Sequence, residues 1–266
     1  MEKTNRHYAL ETLQTVALLL MLAVNALAVA LPLNGVETGA VSDAYPNLFA
    51  PDGTTFAIWS VIYLLLTGHT LYRLGLLRGH AADEALLVKI GPAYILSSLL
   101  NAAWMFAWHY GVLWLTMLLM LGILGCLVYI RNAIGTRPMD AAGTVLVRLP
   151  FSVYFGWITV ATIANAATLL VSLGWNRFGL SETLWFTLIL AVGTLIALAV
   201  ILTKRDAAYA AVILWAFWGI LRKRLAAASV LPETVVTVSV CMALVLLALV
   251  YTLARRRRTE PRRAAV

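Results

Sequence analysis

The stretch IGPAYILSSLLNAAWMFAWHYGVLWLTMLLMLGILGCLVYI, residues 90–130, contains no Asp, Glu, Lys or Arg. A charge at mid-bilayer costs about 2.5–3.5 kcal/mol on insertion scales, whereas about 20 apolar residues carry one helix across the hydrocarbon core. The stretch is twice as long as one crossing needs, and His109, Tyr110 and Gly111 interrupt its middle. It therefore reads as two antiparallel crossings with a very short connection. Working outward, the same criterion finds charge-free stretches at 12–36, 53–72, 149–176, 183–203, 207–221 and 234–254. Eight helices follow, over about 11–32, 53–75, 88–108, 112–133, 146–173, 183–203, 206–222 and 231–254. The expected fold is all-α, a polytopic membrane helix bundle of about eight transmembrane helices. The seventh is the shortest, with 15 residues between Asp206 and Arg222. It crosses only if flanking basic side chains snorkel or the bilayer thins. The alternative is a re-entrant or surface-lying segment.

Composition agrees with a bilayer solvent. Of 266 residues, 62% are hydrophobic and 12% charged, against about 45–50% and about 25% in soluble domains, which excludes an ordinary soluble enzyme. A net charge of +8 would point to nucleic acid in a soluble chain; here its placement points to lipid, with no nucleic-acid partner. Cys126 and Cys241 lie in apolar runs outside any paired-Cys motif, haem attachment or zinc spacing. Lys3 and Arg6 precede an apolar stretch too long for a signal-peptide core, ending at Pro32 and Asn34 without a small-residue cleavage pattern, so it reads as a mature first helix.

Basic residues set orientation, because cytoplasmic loops carry their excess. Lys3, Arg6, Arg73, Arg78, Lys89, Arg131, Arg137, Arg148, Lys204, Arg205 and the six arginines between 255 and 263 fall on one side of the eight-helix arrangement. Arg177, Arg222, Lys223 and Arg224 fall on the other, where the first loop carries Glu37, Asp43 and Asp52 and no basic residue. Both termini are expected in the cytoplasm and the protein in the cell membrane. The cluster Arg222, Lys223, Arg224 is the one misfit. The basic tail, 255–266, reads as a topology signal able to meet anionic headgroups.

Catalytic constellations are scarce. The chain has no phosphate-cradling glycine motif, no nucleophile elbow and no His and carboxylate cluster at metal-ligand spacing, so neither a metal, a cofactor nor catalytic residues are expected. His69, alone well inside a span, reads as a hydrogen-bonded packing residue. What recurs instead is aromatic and amide side chains at helical spacing. Phe56, Trp59 and Tyr63 share one face of the second helix, Asn101, Trp104 and Trp108 one face of the third, and Trp157, Ala161 and Asn165 one face of the fifth. Each stripe alone fits helix packing. An Asn amide in hydrocarbon needs a partner, and converging stripes would line a pocket with flat apolar walls and a few polar anchors, suited to a large planar ligand.

These residues carry a resemblance. LFAPDGTTFAIWSVIYLLL, with Phe49, Pro51, Phe56, Trp59 and Tyr63, resembles the loop and second helix of the TspO/MBR family, the tryptophan-rich sensory or translocator proteins. LLNAAWMFAWHYG, with Asn101 and Trp104, is similar to its third-helix Asn-x-x-Trp motif, and LPFSVYFGWITVATIAN, with Pro150, Phe151, Trp157, Ala161 and Asn165, to its fifth-helix signature. The resemblance covers about residues 10–173. In short members the fifth-helix Trp follows the Pro by four residues; here Tyr154 holds that offset and Trp157 lies seven on. The chain also continues past the five-helix unit like a long bacterial variant.

The resemblance implies a five-helix ligand-binding bundle over 1–173; the three additional helices over 174–254 have no counterpart in the short members, and a structural role is expected for them, shielding one face of the bundle or forming a homodimer contact. It implies a cavity for a porphyrin or other planar hydrophobic molecule. Trp59, Trp104 and Trp157 would supply ring contacts, Asn101 and Asn165 hydrogen bonds and Tyr63 a hydroxyl, with Phe56, Trp108 and Ala161 lining the wall and Phe49 and Pro51 in a lid. Such a protein would act as a sensor, regulator or translocator. Two other classes stay open: a secondary transporter, although the stripes have no partners after residue 173, and an enzyme that degrades bound porphyrin photochemically.

Overall fold

In the computed structural model, which describes residues 5–31, 33–77 and 83–259, each charge-free stretch holds a long helix, and the longest holds two. These are α1 (Asn5–Ala30), α2 (Ile58–Leu74), α3 (Glu84–His109), α4 (Leu113–Ile134), α5 (Leu149–Ser172), α6 (Glu182–Lys204), α7 (Ala207–Leu225) and α8 (Pro232–Thr259). Among the described residues there is no strand. Leu19, Leu64, Leu118, Leu195 and Leu247 point outward, as in helices whose solvent is lipid. The basic tail lies, from residue 260 on, outside the described residues.

Local chemistry sets the helix ends. Asp83 starts α3 four residues before the expected boundary, its carboxylate accepting the Leu86 N–H at 2.9 Å. In the α3–α4 hairpin Gly111 takes φ 69°, a left-handed conformation suited to glycine, and the Val112 N–H reaches back to the Ala107 carbonyl at 2.9 Å. A π-helical turn, Thr144–Arg148, leads into α5. Pro150 has no N–H to give the carbonyl four residues back, that of Leu146, and His69 Nδ1 lies 2.8 Å from that oxygen. The membrane histidine is thus a packing residue that ties α2 to the turn leading into α5.

α3 packs on α1 and α4, and α5 on α2 and α4, while α8 packs on α6 and α7. α7 also packs along α5, which brings α6–α8 against the preceding helices.

Seven of the long helices are long and apolar enough to cross a membrane; α7 is the exception. Arg222, Lys223 and Arg224 occupy its last turn and leave it a short apolar stretch. It nonetheless runs the height of the bundle. At its start Asp206 bonds Arg131, near the end of α4, and Ser152, near the start of α5. Its last turn meets the loop before α2 at the opposite end. Nineteen residues at 1.5 Å each span about 28 Å, close to the hydrocarbon thickness.

Candidate functional site

The three stripes face one another. Trp59 of α2 lies 6.2 Å from Trp104 of α3 and 6.1 Å from Trp157 of α5, centroid to centroid. Phe56 meets Trp157 edge-on at 5.9 Å, and Trp104 stacks on Trp108 at 5.3 Å. Edge-to-face and offset pairs of this kind each add about 0.5–1.5 kcal/mol beyond burial. Three helices thus deliver their rings to one cluster because spacings of three and four keep each stripe on a single face.

A chamber opens between the rings, lined by Phe56, Trp59, Trp104, Trp108, Trp157, Ala161 and Asn165, with Met120 from α4 and Ser42 and Pro51 from the first loop. Its space is about 30 Å³, room for a water or two and far below the roughly 300–1,000 Å³ of a small-molecule site. The rings fill most of the space between them, so the chamber as it stands is too small for a planar molecule of porphyrin size.

Three expected residues lie outside this lining. Tyr63 stacks on Trp59 at 5.6 Å. Asn101 is fully buried: its carbonyl accepts from Asn25 at 2.9 Å, and its amide donates to the Tyr154 hydroxyl at 3.3 Å. Phe49 lines a different cavity, between the first loop, the end of α5 and the start of α6, beside Trp175, Arg177 and Trp185. Asn47 turns it there, its side-chain oxygen accepting the Phe49 and Ala50 N–H groups at 3.1 and 2.9 Å. At the offset where short family members carry Trp, Tyr154 meets Trp59 edge-on at 6.1 Å and binds Asn101, while Trp157 lines the chamber.

The polar groups divide in two. Asn165 is committed within the protein: its oxygen accepts the Trp104 indole N–H at 3.0 Å and its amide donates to Thr116 Oγ1 at 2.9 Å. The indole N–H groups of Trp59 and Trp157 are buried without a partner among the described residues. Two orphan donors on chamber-lining rings suit a guest carrying a hydrogen-bond acceptor. Sequence reasoning missed Ala164 and Thr168, which also line the chamber and extend the Ala161 and Asn165 stripe at helical spacing; Met120 carries no such signal.

The loop over the chamber is attached to α7. Arg222 Nε lies 3.3 Å from Asp52 and its Nη1 donates to Thr54 Oγ1 at 3.0 Å. Lys223 Nζ lies 2.6 Å from Asp43. The Asp52 N–H donates to the Gly219 carbonyl at 3.2 Å, and the Trp215 indole to the Thr55 carbonyl at 3.0 Å. Burial raises the Asp52 pKa, but hydrogen bonds from Thr54 and the Arg222 charge outweigh it and hold the carboxyl below its ordinary 3.8. Among the described residues no group of His, Cys, Asp and Glu could hold a metal ion.

The family model described as "TSPO-like protein" matches residues 11–252, reaching from α1 into α8. No curated protein and no solved structure matches the chain.

Proposed function

The chain belongs to the TSPO-like protein family and is a multi-pass membrane protein, and from that premise we propose that α1–α5 bind a planar hydrophobic ligand of the porphyrin class. The observation that carries this reading is the convergence of Trp59, Trp104 and Trp157 from three helices on one chamber, with the indole N–H groups of Trp59 and Trp157 unpartnered. The rings would sandwich the flat face of the guest, and the two donors would meet a carboxylate or carbonyl on its rim. Because the chamber is nearly full, the loop must lift for a guest to enter and then close again over it, which fits a sensor or translocator.

A position in the cell membrane with both termini in the cytoplasm is part of this proposal, and the asymmetry of Lys and Arg supports the orientation. Arg222 and Lys223, the misfit to that asymmetry, pair with Asp52 and Asp43, so their position answers to the first loop's acidity.

Titrating detergent-solubilised protein with protoporphyrin while following tryptophan fluorescence tests the proposal. Saturable quenching, with affinity lowered by Trp59→Phe and Trp104→Ala, is expected. Absence of saturation, or affinity indifferent to both substitutions, refutes it.

A further inference from the structure

The loop that roofs the chamber is held from outside the five-helix unit. It contributes Ser42, Pro51 and Phe56 to the lining, and the acids beside them, Asp43 and Asp52, pair with consecutive residues of α7, Lys223 and Arg222. Deeper in the same seam, Thr55 sits directly on the α7 backbone: a Cβ added at Gly219 would fall 1.9 Å from Thr55 Oγ1. Glycine there is what allows the loop to settle so low over the rings.

We infer that Arg222, Lys223 and Gly219 are positioning residues that latch this roof and thereby set how fast ligand enters and leaves the chamber. The inference takes its ligand, though not the latch itself, from the reading above. An isolated exposed ion pair contributes little, but these two act on a segment already seated by the fit of Thr55 on Gly219 and by the bonds to Asp52 N and Thr55 O. Side chains of Arg222 and Asp43 are 49% and 59% exposed, so salt screens the pairs and they form the adjustable part of the latch. None of the three α7 residues lines the chamber. Loosening them therefore speeds entry and exit together and leaves affinity nearly unchanged, the signature of a gate and not of a ligand contact.

The test uses the full-length protein in detergent, with wild type, the double variant R222Q/K223Q and G219A, and protoporphyrin as probe. Stopped-flow tryptophan quenching should show association and dissociation rates both rising several-fold in each variant, with Kd moving by less than about twofold. Rates of the wild type should rise with salt, and those of the double variant should not. In parallel, amide hydrogen exchange over residues 42–56 without ligand should quicken in both variants. Wild-type rates and exchange in both variants, or weaker affinity with no gain in rate, would overturn the latch. If porphyrin does not quench the wild type, the ligand reading fails and exchange alone decides: faster exchange over 42–56 upholds the latch, and unchanged exchange overturns it.

Discussion

Asp206 ties three helices together with one carboxylate: Oδ1 accepts the Tyr209 N–H at 3.1 Å and caps α7, while Oδ2 binds the Arg131 guanidinium of α4. Ser152 of α5 donates to the same Oδ2 at 2.7 Å. Arg131 and Asp206 are 2% and 4% exposed, so this ion pair is desolvated.

Removing one member leaves the other charge buried and unpaired, which costs about 3–5 kcal/mol. Asp206→Ala is expected to lower the thermal unfolding midpoint of the detergent-solubilised protein more than Arg131→Met with Asp206→Leu combined, because the double replacement removes both charges. Equal losses in the two proteins, followed by circular dichroism at 222 nm, would contradict this account.

Asn165 joins α5 to α3 and α4 through Trp104 and Thr116. Asn165→Leu strands the Trp104 N–H at about 1–3 kcal/mol, whereas the Thr116 hydroxyl keeps its bond to the Leu113 carbonyl at 2.7 Å, and the substitution should destabilise the bundle. Trp104→Phe in the same background removes the stranded donor and should restore part of the loss, measurable as a double-mutant cycle.

The free donors of Trp59 and Trp157 predict a preference among guests. A porphyrin bearing carboxylates should bind more tightly than its fully esterified or alkylated analogue, and Trp157→Phe should narrow the difference by about threefold to tenfold, the worth of one hydrogen bond. An alkylated porphyrin that binds as tightly as the acid would show that these N–H groups make no contact with the guest.

Acid should open the roof only below the ordinary carboxylate range. The Asp52 pKa is lowered in the folded protein, by Thr54 and Arg222 against burial, so its contribution is full above the ordinary value of 3.8 and is lost as pH falls through the lowered one. Amide exchange over residues 42–56, corrected for intrinsic rates, is expected to be flat from about pH 5 to about pH 8. A step in that window would assign the hold to another group.

The long helices could be read from missing charges because lipid tolerates few exceptions, and the three aromatic stripes could be read because spacings of three and four keep Phe56, Trp59 and Tyr63 on one face. What each polar side chain meets depended on the rotation of a neighbouring helix, which spacing does not encode. Asn165 turns to Trp104 and Thr116, and Asn101 to Asn25 and Tyr154, so neither amide is left open. Phe49 left the lining through a turn made by Asn47. Arg222 and Lys223 stood out as basic residues on the wrong side; their partners are 170 and 180 positions away, beyond the reach of any local pattern. The volume of the chamber depends on how the rings interlock and carried no sequence signal.

The pairing of Asp43 with Lys223 also orders events during synthesis. The first loop leaves the ribosome long before the residue that fastens it, since the whole of α2 to α6 is made in between. A chain ending after α5 would lack both cations that meet the first loop, and these ion pairs can close only once α7 has been made.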